Sequence, residues 1–157
     1  MERCAGLLLI LEKQSALLRE IIVVTEEEIE AFVSADHTRI WSTAARQERL
    51  TSLLVSLEKE RQALQQELEE KLSLPKNCKL SDLLNAFPFE LRGSLAELSQ
   101  RLQKYALGLL ILQSRLYFLI ERALAFEETM ARLLLKSGLQ SDHGADRRSV
   151  DLVDQSV

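Results

Sequence analysis

The chain has 157 residues and a net charge of −4, with 46% apolar and 28% charged residues but only five Gly and two Pro. That length fits one domain, and so few turn-formers imply few, long elements. Aromatic residues make up 5%, and the basic residues are interspersed with acids; both facts argue against a base-stacking platform, a phosphate-tracking stripe or a large apolar ligand cage.

The first predicted element is a helix over residues 4–33. Cys4, Leu8, Leu11, Ser15, Leu18, Ile22, Thr25, Ile29 and Phe32 recur in steps of four and three, the period of a helical seam. A second stripe, Leu7, Ile10, Leu17, Ile21 and Val24, lies beside it. Two adjacent stripes give a wide apolar face that touches two neighbours. The acids Glu26, Glu27, Glu28 and Glu30 are expected on a solvated face. The opening apolar run is short and lacks a cleavage site, so a signal peptide is not expected.

Ser34-Ala35-Asp36 interrupts the pattern, and the Asp36 carboxylate suits an N-cap. A second helix over 37–71 follows, with a seam at Ile40, Thr43, Gln47, Leu50, Leu54, Leu57, Arg61, Leu64 and Leu68. The short connection makes the two helices antiparallel neighbours. Glu58, Lys59, Glu60, Arg61, Glu67, Glu69, Glu70 and Lys71 are expected on its outer face, and Trp41 is expected to pack at the bundle end. Pro75 and Pro88 then bracket a longer connection. Within it a short helix over 82–87, capped by Ser81, would lid the bundle with Leu83, Leu84 and Phe87.

The third long helix is predicted over 88–136. Leu91, Leu95, Leu98, Leu102, Tyr105, Leu109, Leu112, Leu116, Leu119, Ala123, Phe126, Met130 and Leu133 keep the four-three step throughout. At about 1.5 Å per residue it is roughly 70 Å long, against roughly 45 and 53 Å for the first two. The shorter helices therefore leave the end of this seam uncovered, which marks a partner surface. Phe126, Met130, Leu133 and Leu134 are the expected anchors for a bound client. Gly93 and Gly108 fall inside this helix, where close approach of a neighbour would explain them. Residues 137–157 are polar, and a flexible tail is expected there. The fold class is thus all-α: an antiparallel three-helix bundle over 1–136, with one short connecting helix and that tail.

Chemistry-bearing patterns are few. His37 and His143 are the two histidines, and Cys4 and Cys78 form no CxxC unit. Reduced thiols in a cytoplasmic protein are the simplest account. No HExxH, GxSxG, phosphate-loop or EF-hand pattern occurs. Neither a cofactor, a metal, an enzymatic role, a nucleic-acid partner nor membrane insertion is expected.

Three stretches carry a family resemblance: Glu28–Ile40 (EIEAFVSADHTRI), Leu50–Arg61 (LTSLLVSLEKER) and Leu80–Leu98 (LSDLLNAFPFELRGSLAEL). They resemble the FlgN family of bacterial flagellar export chaperones, and the order and length of the elements fit over residues 5–136. Ile111 and Ser114 stand where family members often carry an Asn pair. The resemblance implies a cytoplasmic chaperone that binds the hook-associated proteins FlgK and FlgL through its C-terminal part, keeps them soluble and brings them to the FlhA-type export gate of the flagellar type III system. The alternative is a non-catalytic coiled-coil adaptor or scaffold that homodimerises through the third helix.

Overall fold

The computed structural model describes residues 2–76 and 78–153, with side chains described as far as residue 138. The described residues form four α-helices: α1 (Glu2–Val33), α2 (His37–Lys71), α3 (Leu80–Ala86) and α4 (Phe89–Val153). No strand occurs among the described residues. The chain falls into two compact units, Met1–Tyr117 and Phe118–Val157. The side chains beyond residue 138, where the flexible tail and His143 were expected, lie outside the described residues, as do residues 154–157. The backbone of α4 nonetheless continues past the end expected near residue 136. Gly138 does not adopt the left-handed conformation that ends a helix, and no proline follows it.

In the first unit α1 and α2 run antiparallel. Arg3 pairs with Glu67, Gln14 with Glu58, Gln47 with Thr25 and Arg39 with Glu30, a steady decrease along α2 as α1 advances. The connection between them is a Schellman turn. Asp36 N–H donates to the Ala31 carbonyl at 2.9 Å and Ala35 N–H to Phe32 at 3.2 Å, while Ala35 takes φ 55°. The Asp36 carboxylate then caps α2 by accepting Arg39 N–H at 3.1 Å, as its position predicts. The end of α2 repeats the device: Leu74 N–H reaches the Glu69 carbonyl at 2.9 Å and Ser73 sits at φ 55°. Neither Ala35 nor Ser73 is the glycine such positions favour, a cost of about 1–2 kcal/mol each.

The short helix begins slightly earlier than expected. Its cap is not Ser81; the Asp82 carboxylate accepts Lys79 N–H at 3.0 Å instead. It performs the expected lidding: Leu83 and Phe87 are fully buried in one core with Cys4, Leu7, Leu8, Leu11, Leu68, Cys78, Leu95 and Leu98. Each large side chain buried there contributes about 1.5–3 kcal/mol. A second core joins Ile21, Val24 and Leu50, with Leu17, Leu54 and Leu109 against it. The seam positions predicted on α1, α2 and the first half of α4 are therefore the ones turned inward.

Further expectations are corrected. Glu28 and Glu69 are buried rather than solvated. Glu28 lies on the second, inward stripe of α1, four residues after Val24, where periodicity outranks polarity. Trp41 is 77% exposed and does not pack at the bundle end. Nothing approaches Gly93 within 4 Å, and Gly108 only meets Ile22 at 4.0 Å from where a Cβ would stand. The close approach occurs at Gly6, where an added Cβ would stand 3.3 Å from Leu64 of α2.

Candidate functional site

The four residues expected to anchor a client lie in the second unit, on α4. Phe126, Met130, Leu133 and Leu134 are 66%, 41%, 56% and 66% exposed. At about 100° per residue they share one helical face, within roughly a 100° arc. Leu119 and Ala123, the preceding seam positions, are half-buried. The seam thus changes from covered to open between Ala123 and Phe126 without changing its period.

The flanks of this face are set by local pairs. Thr129 Oγ1, at one edge, donates to the Ala125 carbonyl at 2.9 Å, while Arg132 reaches Glu128 at 2.5 Å on the far side of the helix. Arg122 lies over the Phe118 ring at 5.7 Å. These contacts leave the apolar stripe unobstructed. Leu124 and Leu135, 61% and 70% exposed, stand on the opposite side. Leu135 closes the apolar run Leu133-Leu134-Leu135 that extends the seam's end, whereas Leu124 falls outside the seam register and no sequence signal marks it.

A second candidate lies in the first unit, where polar side chains form a partly buried chain. Gln14 Nε2 donates to Glu58 Oε2 at 2.9 Å, and Arg61 donates to both oxygens of Glu58, from Nε at 2.8 Å and Nη2 at 2.6 Å. Arg61 Nη1 also donates to Gln65 Oε1. Gln65 Nε2 is shared between Glu69 Oε1 and the Cys78 carbonyl, each at 2.8 Å, and Cys78 N–H donates to the same Glu69 oxygen at 3.0 Å. An open pocket of about 580 Å³ borders this chain, with Gln66, Lys79, Ser99 and Gln103 on its walls.

The electrostatics there favour a structural role. The Arg61 hydrogen bonds, with help from Gln14, hold the Glu58 carboxyl down to about 2 despite partial burial. The same pairing raises Arg61. Burial first, and then Glu69, push the Cys78 thiol up to about 11. A carboxylate locked that low and a thiol locked that high supply neither a general base nor a nucleophile near neutral pH. Arg61 falls on the seam of α2, but Glu58 and Glu69 read as outer-face residues, and no pattern in the sequence singles out Gln14 or Gln65.

Among the described residues, no group of three or more His, Cys, Asp or Glu side chains could hold a metal, and no helix is long and apolar enough to cross a membrane. His37 is exposed. Comparison with protein-family models, with curated proteins and with solved structures finds no match.

Proposed function

We propose that this chain is a cytoplasmic export chaperone of the flagellar type III system, holding the hook-associated proteins FlgK and FlgL soluble and presenting them to an FlhA-type export gate. One observation carries the reading: the seam of α4 stays apolar through Phe126, Met130, Leu133 and Leu134 while all four side chains stand open to solvent. The resemblance of residues 28–40, 50–61 and 80–98 to the FlgN family supplies the client class.

The physics is helix against helix. An amphipathic segment of the client lays its apolar side along this stripe. Fully burying four such side chains is worth about 1.5–3 kcal/mol each. That exceeds the roughly 2–5 kcal/mol needed to order a flexible client segment. Leu and Met adapt to differing surfaces, which suits one chaperone with two clients. Release at the gate then requires only moderate affinity, in keeping with a site that is a stripe rather than a deep pocket.

Truncation after residue 125 tests the proposal. The shortened chain should keep its helical fold yet lose binding to the C-terminal helical segments of FlgK and FlgL. Undiminished affinity would sink it. A tight dimer that ignores both segments would favour the scaffold alternative, with the stripe satisfied by a second copy.

A further inference from the structure

The outward face of α4 within the first unit is also apolar. Leu107, Leu110 and Ile111 are 62%, 61% and 66% exposed. Leu102, Leu109, Leu112 and Leu116 of the same stretch turn inward, so the helix is apolar on both sides, a pattern that calls for a partner on each. The charges beside the open face have one sign. From Leu98 to Tyr117 there is no acidic residue, in a chain whose net charge is −4. Arg101 is paired with Glu97 at 2.6 Å, whereas Lys104 and Arg115 have no ion-pair partner among the described residues. Those two cations are eleven residues apart, three turns plus roughly 20°, and so stand on one flank of the apolar face about 16 Å from each other.

We infer that this face is a second docking surface, whose occupant is an acidic amphipathic helix of another protein. Such a helix would set Leu-type side chains against Leu107, Leu110 and Ile111, and two carboxylates three turns apart against Lys104 and Arg115. A second copy of this chain fits poorly, because the same stretch offers cations and no acid, so self-pairing sets like charges together. A lipid surface fits poorly too, since two cations are few for an interfacial helix. The surface is separate from the stripe at residues 126–134 and does not rest on the chaperone reading.

The test uses the full chain and a fluorescein-labelled synthetic amphipathic peptide of about five helical turns. The peptide carries leucines at three- and four-residue spacing and two glutamates eleven apart, and binding is read by anisotropy. It should bind, and the same peptide with Gln for Glu should bind about fivefold more weakly, the scale of two exposed ion pairs. The Lys104→Glu/Arg115→Glu chain should lose the preference and instead favour a peptide with Lys for Glu. Leu107→Gln/Ile111→Gln should weaken all peptides. Circular dichroism confirms that each variant keeps its helix content. Equal binding of acidic and neutral peptides, no change in the charge-reversed chain, or retention on phosphatidylcholine–phosphatidylglycerol vesicles without peptide binding would each overturn the inference.

Discussion

Gln14 of α1 donates its side-chain amide to Glu58 of α2 at 2.9 Å, beside the apolar seam between the two helices. The same carboxylate is gripped by Arg61 at 2.6 and 2.8 Å. A polar contact between facing helices favours one register, because sliding α1 by one turn would strand the buried Gln14 amide.

This arrangement sets an acid dependence. Glu58 is depressed to about 2 from an ordinary 4.5, chiefly by Arg61. Its contribution is complete above 4.5 and is lost as pH falls toward 2. The Glu58 side chain is 40% exposed, so solvent screening limits that contribution to about 1 kcal/mol. Urea melts between pH 6 and pH 2.5 should show the native chain losing that much more stability than Glu58→Gln. Parallel curves would contradict the assignment.

Glu28 acts in the opposite sense. It is buried at 5% exposure, its Oε2 has no hydrogen-bond partner, and burial raises its carboxyl above 4.5. The unfolded chain therefore ionises first, and stability falls as pH rises from 4.5 through the raised value. Glu28→Gln should gain about 1 kcal/mol at pH 7, or roughly 2–4 °C in Tm, with the gain vanishing at pH 4. A loss at pH 7 would show that the carboxylate is needed where it is.

Glu69 ties the connection after α2 to the bundle. Its Oε1 accepts both Gln65 Nε2 and Cys78 N–H. Glu69→Ala strands a buried amide and should cost about 2–3 kcal/mol. Glu69→Gln keeps an acceptor but removes the charge that helps hold the Cys78 thiol near 11. Iodoacetamide at pH 8 should modify Cys78 slowly in the native chain and faster in Glu69→Gln, at nearly unchanged stability. Fast alkylation of the native chain would contradict the described burial.

Periodicity made most of the fold legible. The four-three step fixed which residues of α1, α2 and early α4 turn inward, and Asp36 marked its own turn. Glu28 and Glu69 escaped because composition assigns glutamate to the surface, while a helix buries whatever falls on its inner stripe. Trp41 escaped for the converse reason, a large apolar residue on an outer one. The apolar end from Phe126 to Leu135 was visible in the sequence, but Leu124 and the outward face at Leu107–Ile111 lie off the seam's period. They are distinguished only by exposure.

If the open stripe of α4 holds a client, the full chain should co-elute with the C-terminal helical segments of FlgK and FlgL, with the mass of each complex read by light scattering. A stable complex with each segment is expected, abolished by Phe126→Ser/Met130→Ser while helix content is unchanged. A chain that elutes alone, or a complex indifferent to those substitutions, would contradict it.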